Sequence, residues 1–312
     1  MATATAPPVV VERLPGGRSL TPLSWDGVMP ILMIAPSVIL IAVFVYGFIG
    51  RTAFTSLTAW RGVVPDYTFV GLRNYERLFQ TEKFQADIVN TIHFTAFFLA
   101  GCLILGLGAA VLLDQKLRGS ILFQNIFMFP LAISFIVTGT VWRWIFNPNY
   151  GLNVLFHNLH LDFLQSGWLT SPNTALNSLT IAAVWQMSGF CMAMFLAGLR
   201  GIPEELREAA RVDGASEFQA FRYVVFPLLR PITLSAVIIL GHISLKIFDL
   251  VFVMTFGGPG YSTDMPGLNM FITTFRQDLF ARGAAIATVL LLMVALLIVP
   301  YLVWTLRGET ER

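Results

Sequence analysis

Residues 204–216 read EELREAARVDGAS, a charged segment that separates two apolar runs. Six of these thirteen residues carry a charge, and ionisable groups are costly within a bilayer. The segment is nevertheless patterned like folded structure. Pro203 suits the first turn of a helix, where its missing N–H costs nothing, and Leu206, Ala209 and Ala210 follow at helical spacing. We therefore predict a short amphipathic helix at the membrane surface.

A glycine and a serine define the end of this helix and the start of the next. Gly214 stands where a glycine lets the chain turn through a left-handed conformation. Ser216 with Gln219 has the spacing of a capping box, which starts a second helix that runs towards Phe226-Pro227. The predicted unit is a helix, a glycine corner and another helix, which together form a docking element for a soluble partner.

The composition places this element in a membrane protein. Hydrophobic residues make up 56% of the 312 residues and charged residues only 12%, about half the charged fraction of a soluble domain. Six apolar segments are long enough to cross a bilayer, which takes about 20 residues each. We predict an all-α polytopic fold with spans near 28–50, 88–113, 121–146, 178–199, 229–255 and 283–306.

Lysine and arginine residues predict the orientation. With both termini inside, the inner segments hold eleven of these residues and the outer segments seven, which favours cytoplasmic termini. The charged segment then lies on the side where ATP is. The expected location is the bacterial plasma (inner) membrane, with residues 1–27 as a flexible cytoplasmic tail and 307–312 as a cytoplasmic C-terminus.

The N-terminus and the cysteines carry little functional information. The apolar run that follows the tail is too long for a signal peptide. Cys102 and Cys191 lie in apolar spans without metal-like spacing, so we expect packing residues rather than a disulfide. His157 and His160 are three residues apart without an evident third ligand, so no metal site is predicted.

The charged segment resembles the EAA loop of permease subunits in binding-protein-dependent ABC importers. The resemblance rests on Glu208-Ala209-Ala210, Asp213-Gly214-Ala215 and Phe226-Pro227. A leucine commonly precedes that proline, and Phe226 departs from the pattern. The resemblance implies a type I permease architecture and a coupling loop, residues 200–226, whose helix enters a groove on an ATPase subunit. The residues it assigns to this contact are Glu205, Glu208, Ala209, Ala210, Asp213, Gly214 and Ala215.

Two further segments resemble the carbohydrate-uptake, maltose-type branch of that family. Residues 69–75, FVGLRNY, precede the second span, and residues 255–259, TFGGP, are similar to a TxGGP signature after the fifth. The chain contains no G-x-x-x-x-G-K-[ST] phosphate loop. The resemblance therefore implies a transport subunit without enzymatic activity or cofactor of its own. It also implies a second permease subunit, two ATPase subunits that bind ATP and Mg²⁺, and an extracytoplasmic solute-binding protein; no nucleic acid is expected.

Polar residues within the spans are candidates for the substrate path. A sugar needs hydrogen-bonding groups and an aromatic face, and Trp185, Gln186, Phe190 and Ser244 supply that chemistry. Lys246 and Asp249 are three residues apart and would share one face of a helix as a neutralised pair. That pair either supports the path or has a structural role between helices or at the subunit interface.

Two other classes of membrane protein would need features of their own within the spans. An ion-gradient-driven secondary transporter or channel needs intramembrane carboxylates for coupling, and Asp249 is the clear candidate. An intramembrane enzyme needs a catalytic constellation within the spans, which the sequence lacks. The particular mono- or oligosaccharide is not specified by these motifs, although the absence of a basic cluster within the spans disfavours a phosphorylated substrate.

Overall fold

A computed structural model describes residues 25–115 and 119–310 of the chain, and the predicted N-terminal tail before Trp25 lies outside them. The described residues fold as helices, with one isolated β-bridge between Thr58 and Phe69. The predicted all-α fold is confirmed. The chain divides into two compact units at Gly50 and Arg51.

The first three helices occupy the N-terminal part of the described chain and the segment that follows the first predicted span. They are α1 (Trp25–Ile41), α2 (Phe48–Ser56) and α3 (Arg73–Gln80), with a π-helical turn between α1 and α2. The long outer segment predicted at 51–87 therefore contains a surface helix, α3.

Two long helices form the centre of the second unit. They are α4 (Glu82–Asp114) and α8 (Pro172–Arg200). Phe98 and Cys102 of α4 pack with Met187 and Cys191 of α8 in the main apolar core. A Cβ atom at Gly106 would lie 2.7 Å from the Cβ of Cys191, so glycine lets the two helices approach closely. Both cysteines are buried and free, as predicted.

The remaining helices are shorter, apart from the last. Between α4 and α8 lie α5 (Ser120–Met128), α6 (Phe135–Ile145) and α7 (Leu152–Asn158). After α8 follow α9 (Glu204–Val212), α10 (Glu217–Ala220), α11 (Phe226–Leu228), α12 (Arg230–Leu245), α13 (Asp249–Met254), α14 (Pro266–Phe271) and α15 (Phe280–Thr310).

Within residues 25–115 and 119–310, four helical stretches are long and apolar enough to cross a membrane on their own. They are Met29–Ser56, Glu82–Asp114, Pro172–Arg200 and Phe280–Val303. Two bent pairs raise the number to six if each pair counts as one span: Ser120–Ala132 with Phe135–Ile145, bent by 101°, and Glu217–Leu228 with Arg230–Leu245, bent by 62°. The structure thus accommodates six spans. The first bend divides the predicted third span, whereas the second bend lies at the start of the predicted fifth span, which is interrupted between Leu245 and Asp249.

The first break interrupts the predicted third span. A 3₁₀ turn at Phe129–Ala132 contains Pro130 and ends α5, and Ser134 starts α6 by accepting a hydrogen bond from the Val137 N–H at 3.3 Å. Proline removes one backbone donor, and the serine cap favours a new helix over continuation of the old one. The predicted third span is therefore divided by a sharp bend of 101°.

Candidate coupling loop and membrane path

The helix of the charged segment lies where the sequence predicts it, one residue later at its start. Pro203 is the N-cap of α9, with extended ψ of 132°, and Glu204 is the first helical residue. The helix is largely exposed, and Ala210 is its one buried residue, at 9% exposure. Ala210 therefore points into the subunit, whereas Glu205, Glu208 and Ala209 remain available to a partner.

Gly214 forms the predicted corner. Its φ is +83°, and a Cβ built there would have no heavy atom of the described residues within 4 Å. The Gly214 N–H donates to Arg211 O and the Ala215 N–H to Ala210 O, each at 3.0 Å, so the turn satisfies carbonyls at the end of α9. Backbone conformation, and not lack of space, is what requires glycine at this position.

The capping box at Ser216 is confirmed atom by atom. Its Oγ accepts from the Gln219 N–H at 3.4 Å, and Gln219 Oε1 accepts from the Ser216 N–H at 2.8 Å. An ion pair between Arg211 and Glu217, with Nε and Oε1 2.8 Å apart, spans the corner. The hydrogen bond from Arg211 lowers the pKa of Glu217. The end of α9 and the start of α10 are thus held together by contacts between residues close in sequence.

Two exposed apolar residues flank this corner, and the sequence reading missed them. Val212 is 87% exposed and Phe218 75% exposed. Both lie in the polar surface loop, where their side chains contact water unless a partner covers them. Their helical register relative to the charged residues is the signal that could have identified them.

Arg207 anchors α9 to the body of the subunit, a role that the sequence reading also missed. Its Nη1 lies 2.8 Å from Asp114 Oδ2, at the end of α4, and its Nη2 donates to Leu199 O at 3.2 Å, near the end of α8. The side chains of Arg207 and Asp114 are only 21% and 16% exposed. One guanidinium therefore ties the exposed helix to the two central spans.

The candidate path residues on α8 occupy different surroundings. Trp185 is 38% exposed and packs edge-to-face on Trp142, with ring centroids 5.8 Å apart. Both rings line a mostly apolar cavity of about 890 Å³ between α4, α5, α6 and α8. Phe190 is half-buried and packs against the main core. Trp185 thus has an aromatic face available, and Phe190 has less.

Gln186 is tied to the break between α5 and α6. It is 3% exposed, and its Nε2 donates to Ile133 O at 2.7 Å. The amide thus satisfies a backbone carbonyl that has lost its helical partner at the break. The Gln186 Oε1 is buried without a hydrogen-bond partner among the described residues, so one acceptor remains free.

Ser244 already has both of its hydrogen-bond partners within the subunit. It is fully buried, donates to Gly241 O at 2.8 Å and accepts from Thr95 Oγ1 at 2.9 Å. These contacts join α12 to α4. In this conformation the hydroxyl packs helices together, and contact with a substrate would require one of the bonds to be exchanged.

The expected pair of Lys246 and Asp249 on one helical face is wrong. The helix α12 ends at Leu245 and α13 starts at Asp249, with Lys246 and Phe248 as the flanking caps. Lys246 has φ of −110° and Phe248 of −132°, so the periodicity that would align the two side chains is lost. The side chains of Lys246 and Asp249 are both exposed, and they form no ion pair with each other among the described residues.

The FVGLRNY segment has a structural role. Asn74, in the FVGLRNY segment, donates from Nδ2 to Ser56 O and Thr58 O, both at 2.8 Å, and Tyr75 contacts Ser56 Oγ at 2.6 Å. These bonds fasten α3 to the end of α2.

His157, one of the two histidines that are three residues apart, contacts Asp162, with Nδ1 and Oδ1 2.9 Å apart.

The loop after the GGP sequence and the helix α14 that follows it are held by polar residues near the N-terminal end of α4. Lys83 pairs with Asp264 at 3.0 Å, and Asn269 donates to Asp87 at 2.5 Å. Burial raises the pKa of Asp264, and the Lys83 ammonium opposes that shift. The contacts span more than 170 residues of chain, and sequence reasoning did not find them.

Known proteins resemble this chain along most of its length. It is 46% identical over 280 residues to a probable ABC transporter permease protein of Pyrococcus horikoshii, covering 89% of this chain and 96% of that protein. It is 36% identical to a xylose/arabinose import permease of Haloferax volcanii, covering 85% and 84% of the two chains. Identity to a trehalose/maltose transport system permease of Thermococcus litoralis is 32%, with coverage of 87% and 91%.

A solved structure has the same fold. It belongs to a bacterial ABC transporter involved in the import of the acidic polysaccharide alginate, with a TM-score of 0.78 at 19% identity over 91% of this chain and 98% of that one. A family model described as "Binding-protein-dependent transport system inner membrane component" matches residues 102–306. With its exposed helix–glycine–helix loop and its helical membrane body, the chain belongs to this family of ABC transporter permease subunits.

Proposed function

We propose that the chain is a membrane-spanning permease subunit of an ATP-driven importer for a carbohydrate. The observation that carries the proposal is the coupling loop: an exposed α9, a glycine corner at φ +83° and a capping box, anchored to the central spans by Arg207. Relatives named as permeases for xylose/arabinose and trehalose/maltose support the substrate class.

The proposed partners follow from this role. A second permease subunit would complete the path, two ATPase subunits would bind ATP and Mg²⁺, and an extracytoplasmic solute-binding protein would deliver the sugar. ATP-driven closure of the ATPase pair would move the coupling loops together and switch the path between its inward-open and outward-open states. A solved structure of the alginate transporter in complex with its periplasmic protein supports the last of these partners.

Within the loop, the exposed residues are assigned to the ATPase contact. Glu205, Glu208, Ala209, Asp213 and Gly214 would face its groove, with Val212 and Phe218 as apolar anchors. The buried Ala210 would instead hold α9 against the subunit. Apolar side chains at the centre of an interface contribute more to binding than exposed charges at its rim.

We expect cytoplasmic termini, because the loop must face the ATP side. Cysteine labelling in intact cells checks this orientation, and the native Cys102 and Cys191 are buried and should stay silent. An impermeant thiol reagent should label Val63→Cys, whose valine is 89% exposed, and should label Glu204→Cys only after permeabilisation. Labelling of Glu204→Cys in intact cells would show that the orientation is reversed.

For the substrate path, we assign Gln186 Oε1 as a hydroxyl acceptor and Trp185 and Phe190 as aromatic surfaces. Ser244 would join them after release from Thr95, whereas Lys246 and Asp249 would act separately, as exposed charges. In proteoliposomes with the ATPase, the second permease and the binding protein, Gln186→Ala should raise the KM of sugar uptake by about three- to tenfold, because one hydrogen bond is lost.

Ser178→Ala is the matched control, since this buried hydroxyl on α8 bonds only Thr174 O of its own helix. An unchanged KM in the Gln186 variant would remove that residue from the path. The same assay tests transport itself, because uptake should require ATP and the binding protein. Uptake driven by an ion gradient without the ATPase would support a secondary transporter or channel instead.

A further inference from the structure

Four arginines from three parts of the chain line one cavity at the outer end of the subunit. Arg61 lies in the loop after α2, Arg73 and Arg77 lie on α3, and Arg282 lies in the first turn of α15. The cavity has a volume of about 320 Å³, and the indole of Trp60 forms part of its wall. This basic cavity is separate from the coupling loop and from the candidate sugar path.

The basic cavity holds too little negative charge to balance these side chains. Among its lining residues Asp66 is the acidic one, and its Oδ1 accepts a hydrogen bond from the Thr68 N–H at 3.0 Å. The ion pairs formed by the described residues include none of the four arginines. Four guanidinium charges against one carboxylate give the lining residues a net charge of +3, which favours the entry of an anion.

The walls of the basic cavity are fixed by contacts that do not involve the guanidinium groups. The Gly62 N–H donates to Asp278 O at 2.7 Å, and the Ala281 N–H donates to Trp60 O at 3.1 Å. Asn74 holds α3 to the end of α2 through its two bonds of 2.8 Å. The arginines are thus brought together by the backbone, and their donors remain available to a ligand.

The position of the basic cavity indicates its depth in the membrane. Trp60 stacks on Phe280, the first residue of α15, with centroids 5.0 Å apart, and meets Tyr67 edge-to-face at 5.6 Å. Tryptophan and tyrosine favour the level of the lipid headgroups, and an apolar span begins at Phe280. The cavity therefore lies at the boundary between hydrocarbon and water, where phosphate groups are abundant.

We infer that the basic cavity binds a phosphate group, carried by an anionic lipid headgroup or by a soluble phosphate. Arginine's planar fork matches phosphate oxygens with two parallel hydrogen bonds, and four such groups could surround one phosphate from several sides. Positive residues are less frequent on the outer side of membrane proteins, so binding would give this outer cluster a function.

The test uses the full-length chain in its purified transporter complex. Native mass spectrometry would count bound phosphatidylglycerol, with zwitterionic phosphatidylcholine for comparison, and calorimetry would measure binding of inorganic phosphate. The double variant Arg61→Gln/Arg282→Gln should weaken the binding by about a hundredfold, because each lost charged hydrogen bond accounts for about tenfold. Arg276→Gln is the matched control, since Arg276 is exposed and lies outside the cavity.

The outcomes separate the sources of the phosphate. Arginine-dependent retention of phosphatidylglycerol without affinity for inorganic phosphate supports a lipid site, and affinity for both supports a general phosphate site. Equal losses in the Arg276→Gln control, or no loss in the double variant, would overturn the inference. A double variant that keeps lipid and phosphate binding but no longer binds the solute-binding protein would also overturn it and would identify a protein-docking surface.

Discussion

Replacing Gly214 with valine is expected to abolish ATP-dependent uptake while the spans remain inserted. The residue has φ of +83°, a conformation that a β-branched side chain adopts only at a cost of roughly 1–3 kcal/mol. To relieve that strain, the chain would change the angle between α9 and α10. This change would break the two 3.0 Å hydrogen bonds that the Gly214 and Ala215 N–H groups donate. The exposed face of α9 would then no longer fit its partner. Uptake in proteoliposomes and co-elution of the ATPase measure the effect.

Gly214→Asn is the informative control, because asparagine tolerates the left-handed region. The described part of the chain leaves room for a side chain, since none of its heavy atoms lies within 4 Å of the added Cβ. The asparagine variant should therefore keep most of the uptake and the ATPase contact. Normal uptake by the valine variant would contradict the coupling role of the corner, and equal loss in both variants would indicate that the partner needs the bare backbone.

Replacing Arg207 with alanine is expected to uncouple ATP hydrolysis from uptake. The change removes the 2.8 Å contact to Asp114 and the 3.2 Å bond to Leu199 O, and leaves a partly buried carboxylate without its partner. Loss of a hydrogen bond to a charged group costs about 1.5–3 kcal/mol. Because the anchor joins α9 to both α4 and α8, we expect uptake per ATP hydrolysed to fall by about tenfold or more.

Asp114→Ala should reproduce part of this loss, because it leaves the bond from Arg207 to Leu199 O. The double variant should be no worse than Arg207→Ala alone, because the two residues share one interaction. Arg200→Ala is the control, since Arg200 is exposed on the same side of the membrane and is not assigned to the anchor. Fully additive losses in the Arg207/Asp114 cycle, or an equal loss in Arg200→Ala, would contradict the anchoring role.

The coupling loop could be predicted because its signals are local. The corner at Gly214 and the capping box of Ser216 with Gln219 depend on hydrogen bonds between residues less than six positions apart, so the residue types alone carry the information. The six apolar segments could be located for a similar reason, since the bilayer sets their length. Fold class and family therefore followed from the chain read in order.

The breaks within two predicted spans were decided by the tertiary structure. A run of apolar residues fits a straight helix as well as a broken one, and the periodicity of a straight helix places Lys246 and Asp249 on one face. Both spans are interrupted instead. At the break between α5 and α6, the freed Ile133 carbonyl accepts a hydrogen bond from Gln186, which is 53 residues away. A sequence pattern does not reveal such a partner, because it depends on which helices pack together.

The sequence by itself determined the helical fold, the helix–glycine–helix geometry of residues 204–220 and the family, because those features depend on hydrophobic length and on bonds between near neighbours. The tertiary structure decided which polar side chains have partners: Arg207 meets Asp114 from 93 residues away, and Arg61 shares a cavity with Arg282. Long-range pairs of this kind are set by helix packing, since the backbone must first bring distant residues within the few ångströms over which charges and hydrogen bonds act.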